Sequence, residues 1–134
     1  MSTEANKDVV RAFYAQAATG ERDAELIAAD LRYHGPDMLG DLQGRDAFVQ
    51  LLSGFRSAFP GFETDVHHLV AEGDTVAVWH THSGIHGGEF AGIPATGKHV
   101  IINGLELLRI ADGQIAEFWH MDDFAGMLQQ IGAE

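Results

Sequence analysis

Residues 62–74 read Phe62-Glu-Thr-Asp-Val-His-His-Leu-Val70-Ala-Glu-Gly73-Asp74, and the spacing within this stretch decides the fold. Phe62, Thr64, Val66, His68 and Val70 recur at every second residue, which in an extended chain sets them on one face of a half-buried strand. Glu72-Gly73-Asp74 supplies a hairpin turn, and Thr75 to Gly84 predicts the returning strand. Upstream the period is helical. Val9, Val10, Phe13, Tyr14 and Ala17 follow the possible caps Ser2 and Thr3, and Gly20 closes a first helix near residue 18. A short helix is predicted from Asp23, a brief strand over Leu31–His34 ended by Gly35-Pro36-Asp37, and a third helix from about Asp46 to Phe59, stopped by Pro60-Gly61.

Downstream, residues 85–97 hold Pro94 among several glycines and read as a loop. Lys98–Ile110 and Gln114–Asp122 predict two more strands joined at Asp112-Gly113, and a short helix from about Phe124 to Ile131 ends the chain. Early helices and late antiparallel strands define an α+β class, with helices packed on one face of a curved sheet. Such a sheet forms a cone whose mouth holds a small ligand.

The chain has 134 residues, the length of one domain over 1–134, and 46% of them are apolar. Eight Lys+Arg against 20 Asp+Glu give a formal charge of −12. Nucleic-acid binding rests on clustered cations, so this balance argues against it, and equally against an anionic membrane face. There is no cysteine, which removes disulfides, thiolate metal sites and thiol nucleophiles. No run approaches the roughly 20 apolar residues of a membrane span, and the first residues lack a signal-peptide pattern. The expectation is a soluble cytoplasmic protein. Eight histidines are a surplus that needs a reason.

Two motif readings fail on context. Gly92-Ile-Pro-Ala-Thr-Gly97-Lys98-His99 nearly spells a phosphate loop, but His99 replaces the hydroxyl residue and a strand follows instead of a helix. None of Ser2, Ser53, Ser57 and Ser83 sits in a nucleophile elbow. In Trp79-His80-Thr-His82, the two histidines share one strand face, a plausible metal pair if His86, His99 or His120 supplies a third ligand. Without a firm third ligand the preferred reading has no metal, with His80 and His82 lining a polar pocket.

The richest constellation is Glu117-Phe-Trp119-His120-Met-Asp122-Asp123, with Glu106 on the neighbouring strand. His120 and Asp122 share one face; Glu117, Trp119, Met121 and Asp123 share the other. A three-residue loop Ala111-Asp-Gly113 puts Glu106 on the His120 face, whereas a two-residue Asp-Gly turn puts it on the Trp119 face. The first is favoured because it gathers an imidazole and two carboxylates beside Leu108 and Phe118, where a carboxylate pKa rises toward that of a working base. The bland alternative is that Asp122 and Asp123 cap the last helix.

Several stretches carry a family likeness: Arg11-Ala-Phe13-Tyr14, Gly44-Arg45-Asp46-Ala-Phe48, Ala58-Phe59-Pro60, Val70-Ala-Glu72-Gly73-Asp74, Gly84-Ile-His86-Gly-Gly-Glu89-Phe90-Ala-Gly92-Ile-Pro94-Ala-Thr-Gly97 and Arg109-Ile-Ala-Asp112-Gly113-Gln-Ile115. In order and over nearly the whole chain they resemble the SnoaL-like polyketide cyclases, also called ester cyclases, of the nuclear transport factor 2-like superfamily. The resemblance implies a cone-shaped α+β barrel, commonly a homodimer. It further implies metal-free and cofactor-free ring closure by intramolecular aldol condensation, with an aspartate on the last strand as acid/base, a histidine on the neighbouring strand and a tyrosine in the first helix. Carried over by position, the tyrosine is Tyr14. The histidine position falls on Glu106, and the aspartate position on His120, Asp122 or Asp123, so carboxylate and imidazole are exchanged between strands.

The expected function is therefore an acid/base enzyme acting on a small, largely apolar carbonyl compound. His120 abstracts a proton, Asp122 or Glu106 orients it, and Tyr14 donates to the enolate oxygen. Trp79, Trp119 and Phe48 are candidate walls. The rivals are a binding domain of the same fold without chemistry, an isomerase or epoxide-hydrolase relative, and a metalloenzyme using His80 and His82.

Overall fold

The computed structural model describes residues 2–132; the ends of the expected 1–134 span, residues 1, 133 and 134, lie outside the described residues. The order is α1 (Thr3–Ala15), α2 (Asp23–Leu26), β1 (Ile27–His34), β2 (Asp41–Gln43), α3 (Arg45–Ala58), β3 (Glu63–Glu72), β4 (Thr75–Ile85), β5 (His99–Ala111), β6 (Gln114–Trp119) and α4 (Phe124–Gln130). All six strands form one sheet in the order β2-β1-β6-β5-β4-β3. The α+β class is as expected, with one correction to the antiparallel sheet: β1 runs parallel to β6. The connection between them spans most of the chain, which a parallel pair requires and a hairpin cannot provide.

Local chemistry explains most boundaries. Ser2 caps α1 by accepting from Ala5 N at 3.1 Å, and the helix buries Val10, Phe13 and Tyr14 on the stripe its spacing marks out. β2 has no counterpart in the sequence reading, since three residues with only Leu42 half-buried carry no readable period. β6 stops at Trp119, three residues short of the predicted Asp122, although Asp122 still bridges to Gly104 across β5.

The hinge of the design is the β5–β6 connection. Ala111 pairs with Gln114, so the loop is the two-residue turn, with Asp112 at φ 52° and Gly113 at φ 75°. That overturns the three-residue loop. Yet Ile110 pairs with Ile115 while Arg109 pairs with Glu117, so Ala116 is an extra, bulged residue. The bulge shifts the alternation by one and returns Glu106 to the face of Phe118 and His120.

The inward rows of β4 and β5 then read as bands. Val76 and Val78 with Leu108 and Ile110 join Val10, Phe13, Tyr33, Phe48 and Phe118 in one core cluster. Val100 and Ile102 join Phe59, Phe62, Phe124 and Met127 in a second. Between the two lie His80, His82, Gly104 and Glu106, a polar band across an otherwise apolar interior. Leu108 is fully buried in the first cluster. Leu108→Ala should destabilise the protein by about 2–5 kcal/mol in denaturant unfolding; a loss under about 1 kcal/mol would show that this cluster is not the main core.

Candidate active site

Elements from all parts of the chain converge on the polar band. β4 presents His80 and His82 inward, β5 presents Glu106, and the segment after β6 turns His120 and Asp122 the same way. α1 adds Tyr14 and β1 adds Tyr33. Gly104 faces inward between them: a Cβ there would overlap Asp122 Oδ1 and lie 2.8 Å from His80 Nε2. Only glycine permits this approach, and an isolated glycine within a strand pattern was the signal for it.

Beside the band lies a cavity of about 70 Å³ with an open mouth. Its walls are mainly apolar, with Phe13, Phe48, Leu52 and Phe118 among them, and its polar margin holds Tyr14, His82, Glu106, His120 and Asp122. Arg56 at the margin is already held by Asp23 at 2.8 Å and by the Ala17 carbonyl at 2.7 Å.

The hydrogen bonds assign protons. Burial opposes charge on Asp122, but the hydrogen bond from His120 outweighs it and holds the carboxyl below its ordinary range. An ionised carboxylate only accepts, so His120 Nε2–H donates to Asp122 Oδ2 at 2.7 Å. Burial first, then the Asp122 charge, raise the Tyr33 phenol, which keeps its proton and donates to His120 Nδ1 at 2.6 Å. Both nitrogens of His120 are thus engaged.

Glu106 is the opposite case. Burial, then the charge of Asp122, hold its carboxyl well above the usual range, so it is protonated. Burial, then repulsion from His82, lowers His80 to about 3; burial also lowers His82 to about 4. Both are neutral imidazoles at pH 7. His80 Nε2 bonds Glu106 Oε1 and lies 3.5 Å from Asp122 Oδ1, a position that favours its proton on Nε2. His82 Nδ1 pairs with Thr64 Oγ1 at 2.8 Å. Burial, with the charge of Asp122, keeps the Tyr14 phenol protonated. Four buried atoms here have no partner of good geometry: Tyr14 Oη, Glu106 Oε2, Asp122 Oδ1 and His80 Nδ1. Buried polar atoms are rarely left so, and their convergence beside a cavity marks a place for a ligand.

The structure brings together Tyr14, Phe48, His80, His82, Glu106, His120 and Asp122. It leaves out three expected residues. Trp79 is half-exposed on the outer face with His67, and Trp119 stacks on His34 outside, at 5.4 Å between ring centroids. Alternation is the reason: Trp79 precedes His80 and Trp119 precedes His120, so neither can wall the cavity those histidines face. Asp123 caps α4, accepting from Gly126 N at 2.9 Å. Asp122 does not cap it. Tyr33, Gly104 and Thr64 were missed; Leu31 and Tyr33 sharing a strand face was a readable sign for the first. For a metal, the groups of donor atoms found within 4.8 Å of one another among the described residues are His80–His82–Asp122 and Glu106–His120–Asp122. His86 is in neither, buried against Phe59 and paired with Thr96, and His99 is exposed at the start of β5.

A helix-covered sheet enclosing an apolar cavity with two carboxylates at its margin is the architecture of the cone-shaped α+β class. Comparison with known proteins gives the family. Residues 7–131 match the model of the SnoaL-like polyketide cyclases, and the chain belongs to that family as a cyclase-like enzyme. It is 30% identical to the aklanonic acid methyl ester cyclase DnrD of Streptomyces peucetius, over 98% of this chain and 92% of that one. Among solved structures, IdmH of Streptomyces antibioticus, a putative polyketide cyclase by its description, is 30% identical with a TM-score of 0.83, covering 95% of this chain and 98% of that one. A SnoaL-like protein of Jannaschia sp. CCS1 is 25% identical with a TM-score of 0.90, covering 98% and 94%.

Two substitutions separate site from scaffold. Asp123→Ala should cost about 1 kcal/mol of stability through the lost cap and leave turnover intact. Gly104→Ala should abolish turnover with little loss of secondary structure by circular dichroism; a fully active Gly104→Ala protein would show that the close approach of Asp122 and His80 is dispensable.

Proposed function

We propose that this chain closes a ring on a small, largely apolar polyketide-type carbonyl compound by cofactor-free acid/base catalysis. The observation that carries the reading is the pair of buried carboxylates Asp122 and Glu106, each with one unpaired oxygen at the margin of an apolar cavity; burial and the Asp122 charge favour the proton on Glu106, and the hydrogen bond from His120 favours the charge on Asp122. Asp122 Oδ1 removes the proton from the carbon nucleophile. The base role expected of His120 passes to Asp122, because both His120 nitrogens are occupied; His120 instead orients Asp122, and Tyr33 orients His120. Tyr14 O–H and the Glu106 carboxyl proton on Oε2 donate to the developing enolate oxygen, worth about 10²–10³ in rate per donor. The enolate carbon attacks a second carbonyl, and the new alkoxide takes the proton that Asp122 removed, which restores ionised Asp122 and leaves Tyr14 and Glu106 protonated.

A carboxylate held below its ordinary range is a weak base, so the reading favours a substrate C–H acidified by two flanking carbonyls, as in a β-keto ester. With aklanonic acid methyl ester as the trial substrate, Asp122→Asn should lower kcat by about 10²–10⁴ with the fold retained. His120→Gln, which still donates to Asp122, should lose less. Wild-type kcat in Asp122→Asn would overturn the assignment.

The pH dependence has a definite sign. Glu106 has a raised folded-state pKa, so its protonated form stabilises the fold at low pH, and that stability falls as pH climbs from its ordinary 4.5 toward the raised value. Activity should fall over the alkaline limb as Glu106 loses its proton. Glu106→Gln should flatten that limb and raise the melting temperature near neutral pH; an unchanged limb would remove Glu106 from the acid role.

We also propose a homodimer, supported by the resemblance and by the exposed apolar outer face of Trp79, Leu105, Leu107 and Met121. Leu105→Glu should shift sedimentation toward monomer; a wild-type monomer at high concentration would refute it.

A further inference from the structure

We infer that His80, His82 and Asp122 form a binding site for one divalent transition-metal ion of the zinc type, and that the ion inhibits the enzyme. Two imidazoles and a carboxylate, each offering a donor atom within 4.8 Å of the others, match the separation of ligands around one ion. The His-x-His spacing places the imidazoles on one face of β4, with ring centroids 4.3 Å apart. The third ligand is Asp122, brought in by the bridge to Gly104, and neither His86 nor His99 contributes.

Three further observations point to an ion here. Asp122 Oδ1 and His80 Nδ1 are buried and unpartnered, and the Asp122 side chain is only 3% exposed. Thr64 engages His82 Nδ1, the outer-shell contact that fixes a ligating imidazole and leaves its other nitrogen to bind. His82 and Asp122 line the cavity, which gives the ion an entry path and an open coordination position. Binding itself rests on this geometry alone. Inhibition rests on the proposed function, because an ion on Asp122 occupies the oxygen that would take the substrate proton.

The test is titration of dialysed, chelator-treated protein with Zn²⁺ by calorimetry and with Co²⁺ by visible absorption. One ion per chain is expected. His82→Gln should weaken binding by well over tenfold, Thr64→Val by about tenfold, and His67→Ala and His99→Ala, on exposed residues, not at all. Thr64→Val keeps the test decisive if His82→Gln fails to fold. No stoichiometric binding, or binding unchanged in both of those variants, overturns the site. Turnover of the chelated protein that Zn²⁺ suppresses upholds site and inhibition together. His82-dependent binding in a protein inactive when chelated and active with Zn²⁺ upholds the site but overturns both the inhibition and the cofactor-free reading.

Discussion

Ala116 has no cross-strand partner in β5, and this one unpaired residue sets the face on which every side chain beyond it lies. Without it, the Asp112-Gly113 turn would place Glu106 opposite Trp119, on the outer face. With it, Glu106 sits inside beside Asp122 and His80, and the two apolar clusters close over the group from either side. A strand alternates with a period of two, so a single insertion reverses the inside and outside of all that follows.

Enclosing two carboxylates and several imidazoles in this way is costly. The structure meets the cost by dividing the charge. Asp122 keeps its negative charge because His120 donates to it, while Glu106, deeper and beside that charge, keeps its proton. Unpaired buried polar atoms cost on the order of 1–3 kcal/mol each, and four of them gather here. A scaffold without a ligand to bind would gain stability from apolar residues at these positions, as Val78 and Leu108 are next to them.

Much of this was legible in advance, for reasons that differ by element. The helical stripe of α1 and the alternation of β4 are local patterns, and each became the element expected; β3 also formed, but a bulge at His67 reverses its alternation, so His68 and Val70 face outward while Leu69 and Ala71 pack against the core. Tyr14, Phe48, His80, His82, His120 and Asp122 carried their face with them through the same periodicities. Trp79 and Trp119 were misplaced because aromatic character was weighed above alternation. The loop preference was wrong, yet Glu106 arrived on the expected face, because the bulge made up the residue that the shorter turn removed.

The amino-acid sequence by itself determined the α+β class, the order of elements apart from β2, the family and the residue types available for acid/base chemistry, since these rest on period, turn residues and local motifs. Only the tertiary structure decided which carboxylate is ionised, which imidazole is already spoken for, and that Asp123 caps a helix while Asp122 faces the cavity. Protonation depends on burial and on charges brought together from β1, β4, β5 and the segment after β6. Those neighbours are far apart in the chain, and no local spacing records their distance.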